Sequence, residues 1–500
     1  MARVIPPRLQ PLLGGTSKEL ADRFATAGKK LYLVGGSLRD ALLDRPIQDL
    51  DFTTDARPGE IEGIVAGWAS DLYLAGRDYG TVGAIREGNV YEITTFRSEV
   101  YPDESRKPNV TYSDSVEEDL SRRDFTVNAM AIGLAGEEPE LVDPFDGVVD
   151  LAGGVLRTPL DPAISFGDDP LRMLRLFRFV STLGFEPDPE AFAAVVDMRE
   201  RLEIVSVERI REEFDKLMTG DHVARGLCGL IETGLFAKFL PEIPALAVEQ
   251  DPVHNHKDVL AHTVAVVEKT SPRLQLRLAA LYHDIGKPAT RAFGEGGVSF
   301  HHHEVVGARM TKARMKALRY PNKTIDDVSR LVFLHMRPHT FKMGWTDSAV
   351  RRYVRDAGPL LADLNELVRC DVTTRSEKRA NAISRRIDEL EERIAILSEQ
   401  EELGRMRPPI DGNQVMEYLG LQPGRMIGEI MDLLYERRIE EGPYSEEEAF
   451  AMLDEWKKAT PSASLRSDAT PSASLRSAPP PEGEAREEGE AVEEGDEGEA

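Results

Sequence analysis

The hydrophobic period of the chain changes once, near residue 160, and that change limits the fold more than any bulk property does. Before it, short β-like runs such as "KLYLVGG", "DLDFTT" and "TVGAIREGNVYEITTF" alternate with helix-like segments, the order of an α/β unit. From Pro162 to the mid-450s apolar residues recur at three and four spacing with Gly or Pro punctuation, so this stretch reads as almost wholly helical. "RLEIVSVERIREEFDKLM" is typical: Ser206 stands where an N-cap would, ahead of an amphipathic run. The expected architecture is an α/β head on an all-α body. The last segment repeats "ATPSASLRS" and then becomes Pro, Gly and Glu with almost nothing apolar to bury. It cannot offset the entropy of ordering and reads as disordered.

A chain of 500 residues, 41% of them hydrophobic, exceeds what one core sustains, so several packed units are expected. No apolar run approaches the ~18 residues of a membrane helix, and "MARVIPPRLQPLLGG" has prolines where a signal peptide carries its apolar segment. Two cysteines, Cys228 and Cys370, are too few for a disulfide framework. The expected setting is cytoplasmic, with no membrane. A net charge of −26 would repel a polyanion, but eleven acids against three arginines from Ala459 onward put −8 of it on the tail. Basic clusters at 311–323, 351–355 and 375–386 leave room for a local RNA footprint.

Within the head, "LYLVGGSLRDALLDRPIQDLDFTT" (31–54) joins a strand, a Gly pair, a helix and two aspartates. Alternate strand side chains share a face, so Asp49 and Asp51 are expected to point together with Leu50 on the other side. Two carboxylates so placed suit Mg2+, a hard ion, and in-line attack on a nucleotide phosphate. Gly35 and Gly36 let backbone amides approach a phosphate at the start of a helix that carries Arg39. Glu92 of "VYEITTFR" is either a third acid near these two or an exposed strand residue.

In order and spacing, "GGSLRD" and "DLD" resemble the nucleotidyltransferase head of the polymerase β superfamily, closest to the tRNA nucleotidyltransferase and bacterial poly(A) polymerase family. "SRRDFTVNAMA" (121–131) is similar to that family's RRDFTxNA element. The resemblance implies that Arg123 contacts the triphosphate and that Asp124 with Asn128 meets the ribose. "VDPFDGVVDL" (142–151) looks like the connector from head to neck, and its Asp-Pro-x-x-Gly reads independently as a turn. In "GDDPLRMLRLFRF" (167–179), Asp168 or Asp169 caps a helix that carries Arg172, Arg175 and Arg178 on one side. The resemblance makes Asp169 and Arg172 the pair that hydrogen-bonds the incoming base, selecting C or A over G and U with no template, and counts Arg175 and Arg178 among the nucleotide-binding residues. Where the family usually has Glu before this Asp, the chain has Asp168. "AGRDYGTVGAI" resembles the CCA-adding branch, and the polar stretch 98–120 resembles the loop such enzymes use to move from C to A selection.

Nine of ten histidines lie between 254 and 339, a concentration that points to metal ligation. "AALYHDIGKPATR" carries the His-Asp pair that names the HD phosphohydrolase superfamily. His262, His283, Asp284 and Asp371 stand where its ligands would and could hold one divalent transition metal, and His303 with His335 could complete a second site. The expected organisation is a nucleotidyltransferase head at 1–160, a helical neck that selects the base at 161–245, an HD domain at 246–380, a helical tRNA-binding region at 381–458 and a disordered acidic tail at 459–500. The expected activity is Mg2+-dependent CCA addition to tRNA from CTP and ATP. Poly(A) or A-only addition, and HD hydrolysis of RNA ends, are the alternatives.

Overall fold

The computed structural model describes residues 5–47, 49–100, 109–136, 138–248, 258–294, 297–338, 341, 344–372, 377–401 and 407–460. The chain forms two compact units, Met1–Leu403 and Gly404–Ala500. Residues 461–500, most of the expected tail, lie outside the described residues, as do His254, His256, His339 and residues 101–108 of the polar loop. Among the described residues no helix is long and apolar enough to cross a membrane.

The head is built on seven strands: β1 (Leu31–Val34), β2 (Asp51–Thr54), β3 (Asp71–Tyr73), β4 (Thr81–Arg86), β5 (Asn89–Thr95), β6 (Ala131–Gly133) and β7 (Glu140–Val142). They form one mixed sheet in the order β3-β4-β5-β2-β1-β6-β7. β1 pairs antiparallel with β2 and β6, whereas β2 runs parallel to β5 with Asp51 opposite Glu92. Leu33, Val34, Phe52, Ile93 and Ile132 are buried at its centre.

The expected strand alternation at "DLD" is corrected here. Val34 pairs with Asp51, and β2 begins there. Continued outward, that register would set Asp49 opposite Gly36, but Gly35 turns the chain at φ 80° and Gly36 already opens the helix α1 (Gly36–Leu42). Having lost β1 as a partner, although β5 runs on to Asn89, Asp49 lies exposed and two residues ahead of the strand.

The connector at 142–151 acts as a buckle. Asp143 accepts from the amides of Gly147 (2.6 Å) and Val148 (3.1 Å), and Asp150 accepts from the Thr126 hydroxyl at 2.7 Å. Gly147 sits so close to this loop that a Cβ would lie 2.3 Å from the Thr126 carbonyl oxygen.

Beyond it the chain is helical, as the period predicts. The helices that matter for the sites are α2 (Leu171–Leu183), α3 (Val207–Met218), α4 (Val223–Glu232), α5 (Val259–Lys269), α6 (Leu274–Tyr282), α7 (His303–Ala317), α8 (Asn322–Leu334) and α9 (Leu361–Cys370). Ser206 occupies the N-cap of α3 but makes no side-chain capping bond. Gly229 of α4 admits the ring of Phe177 from α2, where a Cβ would lie 2.3 Å from it. Buried Arg277 of α6 donates to the carbonyls of Met218 (2.7 Å) and Gly220 (2.6 Å). Part of the basic cluster at 311–323 is used internally: Arg314 donates to Glu242 at 2.7 Å, and Arg319 pairs with Glu208.

In the second unit, helices Gly412–Leu419, Arg425–Glu441 and Glu446–Ala459 close on Ile410, Val415, Ile430, Leu434, Ala449 and Leu453. Asp411 and Ser445 supply capping boxes for the first and third.

Gly147→Ala is expected to destabilise the first unit by about 1–3 kcal/mol through overpacking. Chemical denaturation checks it; an unchanged midpoint would show that the Thr126 loop yields freely.

Candidate functional site

The left-handed turn at Gly35 brings three sequence-distant groups together. A Cβ there would lie 3.2 Å from Arg123 Nη1 and 3.7 Å from Asp51 Oδ2, so the turn can pass between them because it carries no side chain. Asp51 is partly buried, and its pKa is raised by burial first, then by Glu92, with Asp49 adding and Arg123 opposing. Glu92 therefore belongs to the acid cluster through its register opposite Asp51 while remaining solvent-exposed, which joins the two readings left open by the sequence.

Behind this cluster stands fully buried Asp119, which binds Arg122 at 2.6 Å and Arg123 at 3.4 Å. It aims the pair of arginines in "SRRDF". Burial works against its charge, but the two guanidiniums hold its carboxyl below the usual range.

Asp124 is the centre of a second network. Its Oδ1 accepts from the Phe125 amide (2.8 Å) and Asn128 Nδ2 (2.9 Å), and its Oδ2 accepts from Arg175 Nε (3.0 Å) and Nη2 (2.5 Å). Burial opposes the charge, yet Arg175 and Asn128 hold the carboxyl well below the ordinary Asp range. Asn128 Oδ1 accepts from Arg39 Nη1 at 2.7 Å, and the rest of the Arg39 guanidinium grips Asp40. Arg175 reaches Glu213 at 3.2 Å, and Arg178 reaches the same carboxylate at 2.8 Å. Desolvation, with Arg175 nearby, lowers Arg178 to about 10.

The side chains of Asp169 and Arg172, expected to meet the incoming base, are held by different partners, while the Arg172 amide donates to the Asp169 carbonyl at 2.9 Å. Arg172 is buried and donates to Ser165 Oγ (2.9 Å), the Ser165 carbonyl (3.2 Å) and the Arg122 carbonyl. Asp169, rather than Asp168, accepts from the Leu171 amide at the start of α2 (3.2 Å), and its other oxygen accepts from Arg209 Nη2 (2.8 Å). Arg209 and Glu213, four apart on α3, are the residues the sequence reading missed. The available signal was Glu213 on the apolar stripe with Ile210, Phe214 and Leu217, since a carboxylate there needs a buried cation.

A separate cluster forms in the helical body. His262 Nε2 lies 2.9 Å from Asp371 Oδ1, 3.2 Å from His283 Nε2 and 3.5 Å from Asp284 Oδ2; His283 Nε2 lies 3.1 Å from Asp284 Oδ2. The other Asp284 oxygen lies 3.4 Å from His303 Nε2, itself 3.3 Å from His335 Nε2. His283, His303 and His335 set their Nδ1 atoms 2.6, 2.9 and 2.6 Å from the carbonyls of Ala280, Phe300 and Val332. A carbonyl only accepts, so each Nδ1 donates and each neutral Nε2 turns a lone pair toward the others. Facing lone pairs need a proton or a cation between them. Burial disfavours a proton on His283, but Asp284 and Asp371 raise its pKa to about 10. Burial and then His283 push His335 down to about 3. The close packing depends on Gly286, where a Cβ would meet the His303 carbonyl at 2.2 Å. Lys287 adds an ion pair to Asp284 at 2.7 Å. His301 and His302 are exposed and stand apart from the cluster.

Three family models match parts of the chain. Residues 31–157 match the family model of the poly(A) polymerase head domain, residues 184–246 that of a probable RNA- and SrmB-binding site of polymerase A, and residues 259–375 that of the HD domain. The CCA-adding enzymes of Anoxybacillus flavithermus and Streptococcus suis are each 44% identical, over 43% and 45% of this chain and 53% and 54% of their own. The chain thus spans about half the length of the curated relatives it matches. The Bacillus stearothermophilus CCA-adding enzyme in complex with CTP superimposes with a TM-score of 0.65 at 26% identity, covering 91% of this chain and 99% of that one. The Thermotoga maritima CCA-adding enzyme complexed with tRNA agrees in fold alone, with a TM-score of 0.56 at 17% identity over 91% and 96% of the two chains. Residues 31–157 thus form a head of the poly(A) polymerase type and residues 259–375 an HD domain set in the helical body, an arrangement similar to that of the CCA-adding enzymes compared above.

Proposed function

We propose that this protein completes tRNA 3′ ends with CCA, joining CMP and AMP from CTP and ATP without a template and releasing pyrophosphate. A tRNA substrate implies a cytoplasmic site of action. The observation that carries the reading is the meeting of Asp51, Glu92 and Asp49 with the Gly35 turn and Arg123. Three carboxylates with no sulfur or imidazole among them fit hard divalent ions such as Mg2+. When bound there, Mg2+ supplies Lewis-acid chemistry, lowering the pKa of the attacking 3′ hydroxyl and offsetting triphosphate charge in a two-metal arrangement.

The chain's own groups do the positioning. Asp49 and Asp51 supply oxygen ligands, and Arg123, held by Asp119, faces the triphosphate. The amides of Gly35 and Gly36 approach a phosphate where no side chain intervenes. Asp124 is already saturated with donors, so the Arg39–Asn128 edge meets the ribose while Asp124 fixes it from behind. Asp169 accepts from the exocyclic amine of C or A, Arg172 is its partner when a nucleotide is bound, and Arg175 and Arg178 complete the nucleotide-binding side of α2.

The histidine cluster supports a second activity. The lone pairs gathered around Asp284 suit two divalent transition-metal ions, one at His262, His283, Asp284 and Asp371 and another at Asp284, His303 and His335. A metal-dependent phosphohydrolase acting on RNA ends fits that donor set.

Labelled CTP and ATP with a tRNA lacking its CCA end test the first reading. Three-nucleotide completion is expected; long A tracts on unrelated RNA would replace it with polyadenylation. Asp51→Asn should lower incorporation by about 10³-fold or more while raising the unfolding midpoint in chelator, because it removes one of the mutually repelling acids. Asp51's raised pKa has the matching sign: without metal, stability falls as pH rises from the ordinary Asp range through the folded value. Retained turnover would remove Asp51 from the mechanism. After equilibration with Ni2+ or Co2+ and dialysis, elemental analysis should find about two ions per chain in the wild type and about one in His335→Ala, with incorporation unchanged. Equal metal content in both would eliminate the second site.

A further inference from the structure

We infer that Arg209 is a specificity-determining residue that acts by orienting Asp169, so base discrimination depends on α3 as well as on the helix that carries the base-reading residues. The inference rests on the nucleotidyl-transfer reading. It begins from the separation of Asp169 and Arg172: the arginine is buried and committed to Ser165 and the Arg122 carbonyl. The group that holds the free oxygen of Asp169 is Arg209, 40 residues away, at 2.8 Å.

A carboxylate selects between an exocyclic amine and a carbonyl by the direction of its lone pairs. Its neighbours therefore decide what it can read. One Asp169 oxygen is tied to the Leu171 amide at the start of α2, and without the other tie the group turns about its side-chain bonds. Arg209 supplies that tie from outside the helix. Its guanidinium is half exposed, which leaves further donors available, and Arg175 also feels the Asp169 charge.

The attachment of α3 supports a shared role. One turn after Arg209, buried Glu213 binds both Arg175 and Arg178. A spacing of four puts Arg209 and Glu213 on one face. That face presents a cation to the acid just ahead of α2 and an acid to two arginines of α2. Glu213 is buried among these groups and its loss would disturb the fold, so Arg209, half exposed, is the position that isolates specificity from stability.

The test compares wild type, Arg209→Ala and Arg209→Lys in single-nucleotide incorporation of CTP against UTP and ATP against GTP. Calorimetric binding of CTP and UTP, and unfolding midpoints, are measured alongside. Arg209→Ala is expected to lose about tenfold or more of the C-over-U and A-over-G preference, with an unchanged midpoint and partial recovery in Arg209→Lys. Preferences equal to wild type overturn the inference, whether overall rates fall or not. So does a wild-type protein that binds CTP and UTP equally or not at all. A wild type that transfers no nucleotide but binds CTP over UTP, and loses that preference in Arg209→Ala, defeats the transfer reading while leaving this one standing.

Discussion

The buried carboxylate of Asp124 is the interaction on which the arrangement of the head and the helical body depends. It lies on the "RRDFTVNA" segment, yet its strongest partner, Arg175, comes from α2, 51 residues later, and that arginine passes the link to Glu213 of α3. The head segment, α2 and α3 are thus joined by one chain of charge. Breaking a buried pair of this kind leaves an uncompensated ion and typically costs about 3–5 kcal/mol, enough to loosen the neck against the sheet. Because Asp124 has its pKa held low, its contribution is intact at neutral pH and is lost as pH falls from the ordinary Asp range toward the folded value.

Asp51 shows the same residue type under the opposite influence. Asp124 is more deeply buried but surrounded by donors, and its pKa drops; Asp51 is raised by burial and then by Glu92, with Asp49 adding. A fold selected for stability alone would not set three acids together at a strand end. Their meeting beside a glycine turn is a cost to the fold, which supports the cation site proposed there.

Much of this was legible in the sequence because motif and geometry share a short range. The Gly pair, the Arg-Arg-Asp segment and the His-Asp pair each lie within a dozen residues, and backbone turns bring their atoms to the place the spacing implies. Asp49 lies ahead of β2 rather than within it for a non-local reason: β1, one of the two partners of β2, stops opposite Asp51, and the turn at Gly35 is what stops it. The anchoring of Arg172 was not legible, because no pattern in residues 167–179 reveals that the Ser165 and Arg122 carbonyls lie within its reach. Arg209 and Glu213 were hidden by distance along the chain, although an acid on an apolar stripe was a usable clue. The histidines were the clearest in identity, while their tautomers became evident only once the carbonyls at Ala280, Phe300 and Val332 were in view.

Helix α3 gives the body its internal logic. One side meets α2 through Arg209 and Glu213. Others on the same helix meet the HD region, where Glu208 pairs with Arg319, Arg211 donates to the Arg319 carbonyl, and Asp215 accepts from the Tyr320 hydroxyl. Burial pushes Asp215 up to about 6, offset in part by the Tyr320 hydrogen bond and Arg211. A helix with charged partners on both sides cannot rotate to suit one without breaking bonds to the other. The start of α2 and the HD region are therefore held to a common frame, and the orientation of Asp169 is set by contacts that reach well beyond its own helix.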